Sequence, residues 1–416
     1  MRKLFVYIIL ILTVFSAFAT KLLFWVAPNA LQEAFWKSIV AEYKNVRPDV
    51  EITVEVIPAA ASSEEAILTA LAAGRAPDFS ENIFIGFAAQ LADIGAISPF
   101  DEFGQDFWKL VETRKMKRIV EGWKINGKYY VFPIYSNPML FWWRGDLLKE
   151  LGYDRPPRTY SEIYEISKKF SVPNERYGAQ VIAGRNWWDR WFDFIMYYYA
   201  SSNGKNYVDT AKRKAIYNDD YGIKVATFIY EMFKNNYTAV DLGSNPFYMD
   251  KILGKVTGPW EINWALETFP KVMQYVWVSP PPVPDDFPKD APVYTFADTK
   301  GLVIYNHSKN KKEIFEFISW VFSRVESDKK WIEITRMPPA REDLGTNPVF
   351  AEYMKDKFFK AYAEAVGYAV PPAPIDKTID VQMVLTNHLI EPLMYLKSDV
   401  KSAIDRSVRE VNKILF

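Results

Sequence analysis

The sequence predicts an α/β protein of two or three domains, and three observations carry that reading. From Lys21 onward strand-like and helix-like periodicities alternate as β-α-β-α. The run Met139 to Trp143 is apolar at every position, which suits a strand covered on both faces rather than one half exposed to water. Finally, 416 residues with 49% hydrophobic content are enough to bury large cores, and that length suggests more than one.

Composition removes several functions. Lys+Arg 51 against Asp+Glu 51 leaves no basic excess, so neither nucleic acid nor a polybasic membrane attachment is expected as a partner. The absence of cysteine excludes disulfides, thiolate metal sites and cysteine nucleophiles. The two histidines, His307 and His388, stand far apart with no HExxH, so no metal is expected. No GxGxxG, Walker-type GK[ST] or GxSxG segment occurs, so phosphate cradles and a hydrolase elbow are not expected, and no cofactor or catalytic residue is assigned. The acid pairs Asp219-Asp220 and Asp285-Asp286 look like turn and cap residues.

Taken in order, the chain opens on Arg2 and Lys3, an apolar run Leu4 to Phe15, and the small-x-small triplet Ala17-Phe18-Ala19. This pattern predicts a signal peptide, residues 1–19, cut after Ala19, in an exported protein. An uncleaved anchor is the alternative, although the run is shorter than the ~20 residues that span a bilayer. Leu22 to Val26 then forms a buried-type strand, and Asn29 is placed to cap a helix carrying Leu31, Phe35, Ile39, Tyr43 and Val46 at three- and four-residue steps. Pro48 stops it, Val50 to Ile57 alternates as a strand, and Ser62 or Ser63 caps a helix running to Gly74. Glu64 and Glu65 sit in its first turn, where the helix dipole favours carboxylates.

Asn126-Gly127 between aromatic and aliphatic runs signals a tight type I′ turn, which needs positive φ at both central residues. Pro133 marks a sheet edge or exit because it cannot donate a ladder hydrogen bond. After the strand Met139 to Trp143, Asp146 is expected to cap a short helix Leu147 to Leu151, Gly152 to end it and Pro156-Pro157 to prevent its continuation. That order leaves Tyr135, Ser136 and Asn137 at a strand edge, free to face a cleft. Tryptophans 187, 188 and 191 and Tyr197-Tyr198-Tyr199 form an aromatic cluster of the kind that ordinarily fills a core. Asn186, Asp189 and Arg190 between the rings tilt it toward a ligand surface. Tyr221 to Phe233 has the pattern of a helix, and the proline-rich residues 279–292 that of an extended surface link. Gly301 to Tyr305 follows as a strand, then a helix with Ile314, Phe317, Ile318, Val321 and Phe322 on one face. The C-terminal residues 376–416 are mostly helical, kinked or divided at Pro392.

Several short segments at matching spacing carry a resemblance. They are Ala73-Gly74-Arg75-Ala76-Pro77-Asp78, the run Gln90 to Ile97, Asn126-Gly127-Lys128-Tyr129-Tyr130-Val131-Phe132-Pro133, Phe141 to Leu148, Pro156 to Glu162, Phe247 to Trp260, Ser308 to Lys311, and Met337 to Arg341. Together they resemble the extracellular solute-binding proteins of family 1, the group that includes maltose-binding protein. The resemblance implies the two-lobe α/β periplasmic-binding-protein fold of type II with several hinge crossings and a ligand in the interlobe cleft. One lobe would take residues 20–133 and 299–345, the other residues 134–298 and 346–416.

By the same resemblance the protein is the substrate-binding component of a carbohydrate ABC importer. It would be a monomer in the periplasm or on the outer face of the cytoplasmic membrane, closing on a sugar or polyol and passing it to permease subunits. Trp25, Trp187, Trp188 and Trp260 supply ring faces for the C–H faces of a pyranose, Trp260 foremost. Asn29, Glu81, Asn82, Asn137, Asp189, Glu261 and Asp298 supply partners for its hydroxyls, and Tyr135 and Arg336 complete the candidate set. An anionic solute such as a sugar phosphate, met by Arg190 or Arg336, is the first alternative, and a peptide is another. A glycoside-acting enzyme is the second, since Glu81, Asp189, Glu261 and Asp298 include enough carboxylates for the two it needs, although no motif pairs them.

Overall fold

The computed structural model describes residues 19–60, 62–182 and 187–415, of which residues 187–191 are described as helical backbone only. The expected signal peptide, all but its last residue, and Asn186 lie outside the described residues. The strands, in chain order, are β1 (Thr20–Val26), β2 (Val50–Val56), β3 (Phe79–Ile83), β4 (Ile97–Ser98), β5 (Phe132–Tyr135), β6 (Leu140–Arg144), β7 (Tyr177–Gln180), β8 (Val208–Asp209), β9 (Lys214–Ala215), β10 (Ile252–Thr257), β11 (Val276–Ser279), β12 (Thr295–Phe296), β13 (Lys300–Tyr305) and β14 (Ala369–Val370). They fall in two compact units. The first takes the described chain through Tyr135 together with Lys300–Thr335 and Pro339–Arg341; the second takes Ser136–Thr299, Arg336–Pro338 and the chain from Glu342.

The sheet of the first unit runs β2-β1-β3-β13-β4, with β5 paired to β13. β1 is parallel to β2 and β3, whereas β13 is antiparallel to β3, β4 and β5. Parallel neighbours need a crossover, and helix Ala30–Val46 supplies it between β1 and β2. Asn29 caps that helix as expected, its Oδ1 accepting from the Leu31 and Gln32 amides. Its buried stripe is Gln32, Phe35, Trp36, Ile39 and Tyr43, while Leu31 and Val46 stay exposed at its two ends. Ser62 caps helix Ser63–Ala72, and helix Lys311–Phe322 buries the predicted face, with Phe317 in the ring cluster of Phe24, Trp36 and Phe79. The Asn126-Gly127 turn has φ of 48° and 83°, closed by reciprocal backbone bonds between Ile125 and Lys128.

In the second unit the sheet order is β11-β6-β10-β7, and β6 is internal and buried along its whole length. Successive side chains of a strand point to opposite faces. Phe141 and Trp143 therefore join the large cluster around Tyr197 and Phe228, while Leu140 and Trp142 join Phe358 and Tyr362 on the other face. Gly254 on β10 lies opposite Trp143, where a Cβ would come within 2.4 Å of the indole.

Two expectations are corrected. The short helix runs Gly145–Glu150, and Asp146 does not cap it, because its carboxylate is taken by Arg144 at 2.9 and 2.6 Å. Residues 281–284 are buried and not a surface link. Val283, between two prolines, still has its own amide and carbonyl, and these pair with Arg158 and Tyr160 to fix the start of helix Tyr160–Phe170. At Pro392 the regular helix is interrupted by a wide π turn, Thr386–Ile390, ahead of helix Glu391–Met394, which opens the turn where the ring and its missing N–H disturb the ladder.

Candidate functional site

In the first unit the candidate residues gather on one irregularity. β13 pairs Val303 with Ser80 and Gly301 with Ile83, so Glu81 and Asn82 together face Leu302 alone. Two residues opposing one is a β-bulge, a device that re-aims side chains. Asn82 takes the left-handed conformation, φ 66°, which Asn tolerates better than most residues, and its amide donates to Ser63 Oγ at 3.1 Å. Glu81 is fully buried and its Oε1 accepts from the Ala27 amide at 2.9 Å. Burial pushes its carboxyl up to about 7, held from rising further by the Ala27 bond, the Trp36 indole and the Lys300 ammonium. Trp36 Nε1 and Glu81 Oε2 are each buried without a partner in hydrogen-bond geometry among the described residues, so the indole acts from just outside that range.

The other first-unit candidates are less open than expected. Trp25 is only 6% exposed, belongs to the apolar cluster of Ile57, Ile67 and Phe87, and directs its N–H to Glu55 at 3.4 Å. Its ring is committed to packing because β1 lies inside the sheet. Asn29 is exposed, with its oxygen occupied by the helix cap. Tyr135, Ser136 and Asn137 do not stand free at an edge; all three are buried. Tyr135 stacks on Trp331, with centroids 5.4 Å apart.

In the second unit Asn137 and Asp298 are brought together, the Asn137 carbonyl accepting from the Asp298 amide at 3.0 Å. The Asn137 side chain donates to Met337 Sδ at 3.4 Å, and its Oδ1 is buried without a partner among the described residues. Arg336 is exposed, at φ 55°, with its guanidinium 3.6 Å from Asp356.

Trp260 and Glu261 occupy a single 3-10 turn, Pro259–Glu261, that follows β10 directly. The indole is 47% exposed and lies over Gly258, where a Cβ would come within 2.0 Å of it. The neighbouring carboxylate accepts from Tyr248 Oη and Lys255 Nζ at 2.6 Å each and from Thr257 Oγ1 at 2.5 Å. Burial alone would raise the Glu261 carboxyl; the Lys255 ammonium and the hydroxyl donors outweigh it and hold the group below its ordinary value. The result is an ionised carboxylate beside an open aromatic face. Tyr248 is buttressed by Phe269, stacked at 4.3 Å, and by the edge of the exposed Trp264 at 5.5 Å. Lys255, Thr257 and Tyr248 were missed by sequence reasoning, although the alternation along β10 puts Lys255 and Thr257 on one face, two residues apart.

Trp187, Trp188 and Asp189 begin helix Trp187–Ser201, and their side chains lie outside what the structure describes. Further along that helix Tyr197, Tyr198 and Tyr199 are fully buried, their hydroxyls donating to Val181 O, Asp219 and Pro371 O. That part of the aromatic cluster is core.

The two-lobe fold is shared with extracellular sugar-binding proteins. The structure of a sugar-binding protein from Xanthomonas citri matches with a TM-score of 0.80 at 18% identity, over 95% of this chain and 97% of that one, a likeness of fold alone. An uncharacterized protein from Listeria monocytogenes matches with a TM-score of 0.87 at 34% identity, over 95% of this chain and all of that one. The family described as bacterial extracellular solute-binding protein matches residues 27–326, and the chain belongs to it. A relative named maltotriose-binding protein, from Pyrococcus abyssi, is 25% identical over 372 residues, 85% of this chain and 74% of that protein.

Proposed function

We propose that this protein is the substrate-binding component of a carbohydrate ABC importer, capturing a sugar or polyol by closure of its two lobes and handing it to a membrane permease. The observation that carries the reading is the turn Pro259–Glu261. A pyranose has apolar C–H faces and a rim of hydroxyls; the half-exposed Trp260 indole suits the first and the ionised Glu261 the second. Each hydroxyl removed from water must find a partner, and the fixed carboxylate offers one without reorganisation. Support also comes from the relative named for maltotriose, and from the solved Staphylococcus aureus protein in complex with maltose, which has the same fold.

Asn29, Glu81, Asn82, Asn137, Asp298 and Arg336 are proposed as the remaining polar contacts. Closure follows if the ligand binds the closed state more tightly than the open one, since only differential affinity moves that equilibrium. The proposal includes export with removal of residues 1–19, action as a monomer and no catalysis of its own. Among the described residues no helix is long and apolar enough to cross a membrane.

The test is calorimetry of the chain from residue 20 onward with maltotriose, other oligosaccharides, polyols and sugar phosphates, each recovered afterwards and checked for breakdown. Intact ligand and a loss of about 2 kcal/mol of binding in Trp260→Ala, roughly thirtyfold, are expected. Unchanged affinity in the variant removes Trp260 from the site, and product formation revives the glycoside-acting reading.

A further inference from the structure

The first unit holds a charge cluster that the ligand reading does not use. Arg114, Asp328 and Arg341 have side chains 0%, 1% and 6% exposed. Asp328 bridges the two arginines, accepting from Arg114 Nη2 at 2.8 Å and from Arg341 Nη1 at 3.0 Å. Two further donors of Arg114 go to backbone, 2.7 Å to the Pro133 carbonyl and 2.8 Å to that of Ile134, while its Nε–H is buried without a partner among the described residues. Its guanidinium lies 4.1 Å over the Phe322 ring.

Where these partners sit in the chain is the informative part. Pro133 and Ile134 lie just before the chain leaves the first unit after Tyr135, and Arg341 is the last residue before its final departure at Glu342; the remaining departure follows Thr335, the end of the helix that carries Asp328. The two departing segments are also tied to each other, Ala340 N donating to Ile134 O at 3.1 Å. Asp328 lies in the first turn of helix Val325–Thr335, where the helix dipole favours a carboxylate. One turn on, Trp331 of the same helix stacks on Tyr135.

We propose that Asp328, with Arg114 and Arg341, is a positioning device for ligand capture that anchors two departing segments of the first unit to the helix from which the third departs. The proposal rests on the reading of the protein as a receptor that closes on its ligand. A buried ion-pair cluster is a poor way to gain stability, since well-packed apolar groups at such sites are often as stable or more so. A guanidinium fork supplies something an apolar group does not: donors at fixed angles that hold two successive carbonyls in place. Loosening the anchor removes no candidate ligand residue but changes how the segments leading to the second unit, which carry Tyr135, Asn137 and Arg336, are held.

The experiment uses the mature chain with Asp328→Asn, which keeps the shape and removes the charge, and Arg114→Lys, which keeps the charge and removes the fork. Hydrogen exchange is followed without ligand in peptides covering residues 132–140 and 336–342, against peptides of β1, β2 and helix Ala30–Val46 as internal controls. Maltotriose affinity is measured in parallel. Exchange about tenfold faster in the two departing segments, with the controls unchanged, and an affinity changed by about fivefold support the proposal. Exchange that is unchanged, or raised equally throughout the unit, overturns it, as does altered exchange with unaltered affinity. If Asp328→Asn does not fold, Arg114→Lys decides by the same criteria. A wild-type chain that binds no carbohydrate refutes the receptor reading and capture with it, while the exchange result still decides the anchoring.

Discussion

Glu81→Gln tests the electrostatics of the β3 bulge. The carboxyl is fully buried, keeps one backbone bond, from Ala27, and is raised by burial from 4.5 to about 7. At 1.36 kcal/mol per unit, holding it charged in the folded state costs about 3 kcal/mol. Because the folded value lies above the unfolded one, the contribution of Glu81 to stability is fully present below pH 4.5 and is lost as pH rises through about 7. Glutamine keeps an oxygen for the Ala27 amide and has no charge to desolvate. Urea unfolding of both proteins, compared at each pH from about 4 to 8, removes the slopes of all other groups from the difference. The variant is expected to gain on the wild type by about 3 kcal/mol across that range, levelling off above neutrality. Parallel profiles would refute the reasoning and mean that Glu81 is ionised in the folded protein at no penalty.

Further outcomes follow from the second unit. Gly258→Ala meets no backbone strain, φ being −102°, but its Cβ would fall within 2.0–2.4 Å of three indole atoms of Trp260. The half-exposed ring swings away at little cost in stability, and calorimetry should show binding of the carbohydrate found in the ligand screen weakened by about tenfold; equal affinity would separate the indole position from binding. Gly254→Ala drives a Cβ to 2.4 Å from the buried Trp143 ring and should lose about 1–3 kcal/mol in urea unfolding. Glu261→Gln removes the Lys255 pair and should cost about 1.5–3 kcal/mol at neutral pH. The Glu261 carboxyl is depressed, so its contribution is present above 4.5 and lost as pH falls through the lower folded value; melting curves of the variant should be flatter on the acid side.

Much of the fold was legible because its signals are short-ranged. Asn29 and Ser62 cap helices through amides two or three residues away, and the Asn126-Gly127 turn needs only its own two φ angles. The stripe from Ile314 to Phe322 is buried along its length because a helix repeats every 3.6 residues whatever it packs against. Asp146 failed as a cap for the opposite reason. Arg144, held from a distance by the Phe247 carbonyl and Asp250, claims its carboxylate. Val283 was misread because prolines on either side suggest solvent, whereas its partners Arg158 and Tyr160 lie more than a hundred residues earlier.

The candidate site divides along the same line. By itself the sequence determined the residue types and the α/β class, for which local periodicity suffices, and its motif resemblance singled out the segments that carry Glu81, Asn82, Trp260 and Glu261. Only the tertiary structure decided what each group has left to offer. The bulge that re-aims Glu81 and Asn82 exists because β13 pairs there, more than two hundred residues later in the chain. Trp25 is sealed by its neighbours in the sheet, whereas Trp260 stays open on a turn. The capacity of a polar or aromatic side chain to meet a ligand depends on which partners have already satisfied or covered it, and those partners come from parts of the chain that local pattern does not connect.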